Sequence, residues 1–207
     1  PRTISGVGFQ PDFVLVDVLT VLFWATCFVN EAANTSFTSC ADGEVADNIR
    51  SFTADGFTIG VYDNLDGNGI IPNKNGIVYH YLALKNLTGN ILVSTYTGDG
   101  TDNRNIVQGD AFQPDMLYLV GNGRRPVLRY SSVPGDSTDS PPNGENSGGG
   151  FNSNQIQQFN ANGFQVGTDV QVNQNGIVYY YLSIKDVVVP ATISIRTFPL
   201  FWLGFTP

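Results

Sequence analysis

Apolar residues along this chain come in short runs that alternate with polar residues at a period of two and are broken by glycine-bearing turns. That pattern predicts β-strands, because successive side chains of a strand point to opposite faces. One stretch occurs twice, as Asn75-Gly76-Ile77-Val78-Tyr79-His80-Tyr81-Leu82-Ala83-Leu84-Lys85 and as Asn175-Gly176-Ile177-Val178-Tyr179-Tyr180-Tyr181-Leu182-Ser183-Ile184-Lys185. In each copy the even positions (Val78, Leu82, Leu84; Val178, Leu182, Ile184) are aliphatic, and the odd ones carry Ile, Tyr, Tyr and then a small residue. Both faces are largely apolar, which predicts a central strand. The Asn-Gly pair ahead of it favours positive φ at both centres of a type I′ turn, so each copy is expected to enter its strand from a hairpin.

Two further landmarks recur in the same order, as a duplication requires. Phe9-Gln10-Pro11-Asp12 ahead of Phe-Val-Leu-Val is matched by Phe112-Gln113-Pro114-Asp115 ahead of Met-Leu-Tyr-Leu. Proline fixes φ and aspartate can bond backbone amides, so the pair predicts a rigid entry to a buried strand and a turn-capping role for Asp12 and Asp115. Asn48-Ile49-Arg50-Ser51-Phe52 through Asp55-Gly56-Phe57-Thr58-Ile59-Gly60 is matched by Gln155-Ile156-Gln157-Gln158-Phe159 through Asn162-Gly163-Phe164-Gln165-Val166-Gly167. Asp-Gly and Asn-Gly predict hairpin turns there too. Each copy then runs into another alternating strand, Ile91-Leu92-Val93-Ser94-Thr95-Tyr96 in the first and Ala191-Thr192-Ile193-Ser194-Ile195-Arg196 in the second.

No run at helical period carries a cap, so helix should be scarce and the fold all-β: two tandem duplicated β-sandwich domains, jelly-roll-like. The first is expected over residues 1–96; the second, with a polar connector from Thr97 to Arg104 and an apolar C-terminal tail, over 97–207. The copies differ where loops should lie. Residues 133–150 form a polar low-complexity stretch, and the insertion 61–71 is replaced by the shorter 168–172.

Composition narrows the partners. Of 207 residues 42% are hydrophobic but only 14% charged, so polarity is carried by Asn, Gln, Ser, Thr and 23 glycines. A net charge of −8 repels a phosphate backbone and an anionic bilayer alike, so neither nucleic acid nor a membrane surface is an expected partner. The basic group Arg124, Arg125 and Arg129 is expected on a solvated turn and strand edge. The long apolar run Phe13 to Val29 contains Asp17, which costs roughly 2.5 to 3.5 kcal/mol at mid-membrane, and the matching stretch from Met116 breaks into Gly-Asn-Gly-Arg-Arg-Pro. Buried strands are the better reading. Pro1-Arg2-Thr3-Ile4 runs straight into a strand pattern without a signal peptide.

Candidate chemistry is sparse. Asn64, Asp66 and Asn68 are spaced like alternate oxygen ligands of a calcium loop, with Gly69-Ile70-Ile71 resembling its middle. The twelfth position is Asn75 instead of a bidentate Glu, and Asp-Gly-Asn-Gly also suits an ordinary long hairpin. No other cofactor is expected. Cys27 and Cys40 could close a short disulfide loop worth about 3 kcal/mol or remain free thiols. The single histidine, His80, becomes Tyr180 in the second copy and has no Ser, Cys or carboxylate at a telling offset. No carboxylate pair or phosphate loop is evident, so the chain is read as no enzyme. Tyr79, Tyr81, Tyr179 and Tyr181 could form a sugar platform, although their recurrence favours core packing.

The stretches Val18 to Val29 and Phe198 to Phe205 are apolar where the repeat offers no equivalent. Aromatic surface of that kind anchors interfaces. Leu22, Phe23, Trp24, Phe198, Leu200, Phe201, Trp202 and Phe205 are the expected assembly contacts of a homo-oligomer, the alternative being a tail that folds back between the domains.

Gly8-Phe9-Gln10-Pro11-Asp12-Phe13-Val14-Leu15-Val16, Asp55-Gly56-Phe57-Thr58-Ile59-Gly60, Asn75-Gly76-Ile77-Val78-Tyr79 and Tyr96-Thr97-Gly98-Asp99-Gly100-Thr101-Asp102-Asn103-Arg104 together resemble a group of tailed-bacteriophage structural proteins. The likeness covers both repeats and consists of turn and strand motifs. It implies a non-catalytic virion component of tail, fibre or capsid surface, whose partners are copies of itself and neighbouring virion proteins. Two departures stand out: Asp17 to Val29 is unusually apolar, and no Tyr-Thr-Gly connector precedes Pro1, as in a cleaved or partial chain. Alternatives from other classes are a carbohydrate-binding module for surface glycan and an extracellular filament or cell-surface subunit.

Overall fold

A computed structural model describes residues 1–18, 23–28, 35–38, 44–46, 49–60, 73, 75–76, 78–133 and 154–185. In chain order the first half supplies β1 (Arg2–Ser5), β2 (Phe13–Val18), β3 (Phe23–Phe28), β4 (Thr35–Thr38), β5 (Glu44–Ala46), β6 (Ile49–Thr53), β7 (Gly56–Ile59) and β8 (His80–Leu84). There follow β9 (Ile91–Thr97), β10 (Arg104–Val107), β11 (Met116–Gly121), β12 (Val127–Tyr130), β13 (Ile156–Asn160), β14 (Gly163–Val166), the four-residue helix α1 (Val170–Asn173) and β15 (Val178–Ile184). The fold is all-β, and α1 is the only helix among the described residues.

Among the described residues the strands form four antiparallel sheets, ordered β1-β7-β6, β5-β4-β3-β2-β8, β12-β11-β15-β9 and β10-β14-β13. The two halves use the same registers at matching positions. Val14 faces Ala83 across β2 and β8 as Leu117 faces Ser183 across β11 and β15. Arg2 faces Ile59 as Arg104 faces Val166, and both β6 and β13 carry a register shift, at Ile49/Ser51 and Ile156/Gln158. The Pro-Asp landmark enters each buried strand in the same way, Asp12 N–H donating to the Leu84 carbonyl and Asp115 N–H to that of Ile184, both at 2.8 Å.

The doubly apolar strands are explained by three core layers. One face of β2 (Val14, Val16) packs with Ile49, Phe57 and Ile59 of the outer sheet. One face of β11 and β15 (Leu117, Leu119, Tyr179, Tyr181) packs with Ile106, Ile156, Phe164 and Val166. The opposite faces meet each other: Phe13 and Phe28 from the first half lie against Val93, Tyr118, Val120, Tyr180 and Leu182. There Phe13 meets Phe28 edge-on at 5.1 Å, and Phe28 stacks on Tyr118 at 6.2 Å. Offset and edge-on aromatic pairs of this kind add to the area they bury. Each half is thus a two-sheet sandwich, and the inner sheets of the two are back to back.

The turns differ from expectation. Asn175-Gly176 is no hairpin: it joins α1 to β15, with Ile177 N–H donating to the Gln174 carbonyl at 3.2 Å. Only Gly176 has positive φ (81°), which is the pattern of a type II turn, whereas type I′ needs it at both centres. Helix α1 explains the change, since the chain arrives from a helix end and has no strand to reverse against. At Asn160–Gly163 and Thr53–Gly56 the hairpins do form, but the glycine is the first residue of the returning strand and the two loop residues keep negative φ.

Candidate assembly surface

β9 follows β8 in the chain but does not pair with it. After β8 the segment Lys85–Asn90 carries the chain across to the other inner sheet, where β9 runs along β15 from Val178↔Thr97 to Ile184↔Ile91. β8 is hydrogen-bonded to β2 on one side and, among the described residues, to no strand on the other. The domain boundary expected at residue 96 therefore falls at the end of a strand that belongs to the second half's sheet.

This connectivity splits the duplicated stretch into two environments. Tyr181 and Leu182 are buried, at 2% and 3% exposure, while Tyr81 and Leu82 each stand 48% exposed. Tyr81 keeps an edge-on ring contact with Phe57 at 5.2 Å, and Val78 and Leu87 are exposed at either end of β8. Closely similar sequence is core in one half and exposed in the other, where no described strand lies alongside.

The second half shows how its own edge is closed. The connector Thr97–Arg104 is fastened to the loop before β15 by Gly98 N–H to the Ile177 carbonyl (2.7 Å), Gly100 N–H to that of Asn173 (2.8 Å) and Gly176 N–H to that of Gly98 (2.9 Å). The fully buried Asn173 side chain sits at the centre. Its Oδ1 accepts from Asp99 N–H (3.1 Å) and Arg104 Nη1 (3.2 Å), and its Nδ2 donates to the Thr101 carbonyl (2.8 Å) and Asp99 Oδ1 (3.3 Å). Asp99 also accepts from the Thr101 amide and hydroxyl and pairs with Arg104 Nε at 3.2 Å, so its carboxyl is held below the ordinary value of 3.8. Arg104 lies over the Tyr96 ring, and burial, reinforced by Tyr179, pushes the Tyr96 phenol well above its usual 10. Sequence reading passed over Asn173. The signal was present, since an asparagine stands two residues ahead of Asn-Gly in both halves, at 73 and 173.

Other sequence candidates find different places. Asp12 accepts from Asn86 N–H at 2.8 Å and Asp55 from the amides of Gly6 and Gly8, so these carboxylates fasten backbone as expected of turn residues. Arg129 is not solvated: it is buried, donates to the carbonyls of Ile156 and Val133 and lies over the Phe159 ring. It faces Leu117 from the edge strand β12, and the two carbonyls it donates to help a guanidinium be buried there. Arg124 donates to Gln174, and Arg125 N–H to the Gln171 side chain. A shared sugar platform is not formed, since Tyr179 and Tyr181 are interior.

His80 is exposed on β8, opposite Asp17. Phe23, Trp24 and Cys27 have their backbone in β3, with side chains outside the described residues. Leu22, Cys40, Asn64, Asp66, Asn68, Phe198, Leu200, Phe201, Trp202 and Phe205 also lie outside them. Among the described residues no three His, Cys, Asp or Glu are grouped to hold a metal, and no helix is long and apolar enough to cross a membrane. No family model, curated protein or solved structure matches the chain.

Proposed function

We propose that this chain is a non-catalytic structural protein of a virus particle, a capsid-surface, tail or fibre component built from two duplicated β-sandwich domains that assemble through β-domain contacts with copies of itself and neighbouring virion proteins. The observation that carries the assembly part is the outer edge of β8, which pairs with no strand among the described residues and bears exposed Tyr81 and Leu82, set against the covered edge of its counterpart β15. A strand edge with exposed Tyr81 and Leu82 is an aggregation hazard for a free monomer and an asset for a subunit. The virion part is supported by the likeness of the GFQPD, DGF and NG-Tyr motifs to phage structural proteins. Burial of Tyr179 and Tyr181 counts against the glycan-binding alternative.

Electron micrographs of the purified chain across a concentration series test the proposal, together with immunogold labelling of genome-containing particles. Ordered fibres or shells and labelled particles are expected. A chain that stays monomeric and binds glycan arrays overturns it, and fibres on cell surfaces without genome-containing particles would point to the filament alternative.

A further inference from the structure

Asparagine before glycine is prone to lose its side-chain amide, because the glycine nitrogen has no Cβ beside it to hinder attack on the asparagine Cγ. Two such pairs stand in matching turns. At Asn122-Gly123 the Arg124 N–H closes the turn on the Gly121 carbonyl at 3.0 Å and Gly123 has φ +66°. At Asn175-Gly176 the Ile177 N–H closes it on the Gln174 carbonyl at 3.2 Å and Gly176 has φ +81°. All four residues are exposed. Both turns have the type II pattern, in which the glycine N–H takes no part in the closing bond.

The two turns differ in what that N–H meets. Gly176 donates to the Gly98 carbonyl at 2.9 Å, and Gly98 N–H donates back to that of Ile177 at 2.7 Å, so the connector lies fastened across the turn. The approach is so close that a Cβ on Gly98 would sit 2.1 Å from the Gln174 carbonyl oxygen. Gly123 N–H has no acceptor among the described residues, and a Cβ on Gly123 would meet nothing within 4 Å. Cations also stand beside it: Arg124 Nη1 donates to the Gly123 carbonyl at 2.8 Å, and exposed Arg125 follows. Positive charge near an ionising group favours its anion, here the deprotonated Gly123 amide.

We propose that Asn122 is a modification site, deamidating spontaneously in the folded chain to isoaspartate and aspartate, while the connector shields Asn175 in the same kind of turn. Hydroxide takes the Gly123 amide proton and the nitrogen attacks Asn122 Cγ. The N–Cγ bond forms, the Cγ–Nδ2 bond breaks, and the amide nitrogen leaves as ammonia after taking a proton from water, which closes a succinimide. Water then opens the ring at Cγ to give aspartate or at the backbone carbonyl to give isoaspartate. One water is consumed in the sum and one ammonia released, with no change of oxidation state. The product sets a carboxylate beside Arg124 and Arg125. Arg124 also donates to Gln174, so the new charge competes for a guanidinium that ties this turn to the other.

The test incubates the native chain in mildly alkaline buffer and follows residues 122 and 175 by peptide mass spectrometry with enzymatic isoaspartate labelling. Reaction at 122 at least about tenfold faster than at 175 is expected, since the second site must first release its hydrogen bonds to the connector. In urea the shield is gone and the two sites should react at similar rates. Gly123→Ala puts a methyl beside the attacking nitrogen and should remove most of the signal at 122. Gly98→Ala should unseat the connector and raise the rate at 175 toward that at 122, leaving 122 unchanged. Should that variant fail to fold, amide hydrogen exchange of the native chain decides, with Gly176 protected and Gly123 exchanging as in an open chain. Equal rates at the two sites in the native chain overturn the proposal, as does an Asn122 that stays intact while the unfolded chain is modified there. A folded Gly98→Ala chain with Asn175 still intact, or a Gly176 amide that exchanges as freely as Gly123, overturns the connector as the shield.

Discussion

Gly163 lies so close to the backbone of Ile106 that a Cβ on it would sit 2.1 Å from the Ile106 carbonyl oxygen. Its φ of +149° is itself one that side chains resist, and Gly56 stands in the same relation to Ile4 at 2.0 Å. Gly163→Ala is expected to cost about 2–5 kcal/mol, combining backbone strain with overpacking. Gly176→Ala, at φ +81° with nothing within 4 Å of the added methyl, should cost only about 1–2 kcal/mol. Urea unfolding of the two variants measures the difference, and equal losses would dismiss the close approach as the reason for glycine at 163.

Leu82 and Leu182 occupy matching positions with 48% and 3% exposure. Leu182→Ala should therefore destabilise by about 2–5 kcal/mol, the range for a core leucine. Leu82→Ala in the dilute, unassembled chain should stay within about 1 kcal/mol. Unfolding midpoints below the assembly concentration decide it. A Leu82→Ala loss as large as that of Leu182→Ala would mean that β8 already has a cover.

The Asn173 side chain makes four hydrogen bonds from a fully buried position. Asn173→Ala leaves Asp99 N–H and the Thr101 carbonyl without these partners and should cost about 1–3 kcal/mol. Asp99→Ala acts on the same network, so the double variant should lose less than the sum of the two singles. Strict additivity in a double-mutant cycle would show that the residues do not act together.

Burial raises the phenols of Tyr96, Tyr179 and Tyr181 above their ordinary 10. The native state then holds protons that the unfolded chain releases, so this contribution is complete below about pH 10 and is lost as pH rises beyond it. Asp55 and Asp99 run the other way. Held below 3.8 by the amides of Gly6 and Gly8 and by Thr101, they support the fold above that pH, and their support fades as pH falls below it. Melting temperatures across the pH scale should show a plateau with losses at both ends. Tyr96→Phe should soften the alkaline loss, and an unchanged alkaline limb would count against Tyr96 as a cause.

Periodicity made the strand content legible because alternation reports directly on which side of a sheet a residue faces. The tyrosine-rich stretch even announced a strand apolar on both faces, and Tyr179 and Leu182 do pack into different core layers. What periodicity does not encode is which strand lies alongside. Ile91–Tyr96 looks like the next strand of its own half, yet it pairs with β15; nothing in an alternating hexapeptide distinguishes those neighbours. Arg129 misled for a related reason. A charge near Gly-Arg-Arg-Pro reads as surface, and its burial depends on carbonyls of Ile156 and Val133 that only the folded chain brings to it. Asn173 was legible by spacing alone and was passed over because asparagine is so common beside turns.

The crossing of β9 also has a consequence in time. During synthesis β2 can close on β8 as soon as Leu84 has emerged, but β9 must wait for β15, about 90 residues later in the chain. At ordinary elongation rates of about 5–20 residues per second that is a wait of roughly 5–20 s. For all of it Ile91, Leu92 and Val93 belong to a strand whose partner does not yet exist. The nascent chain therefore passes through a stage in which the strands of its first half can pair while β9, with its apolar Ile91, Leu92 and Val93, still lacks the strand it pairs with.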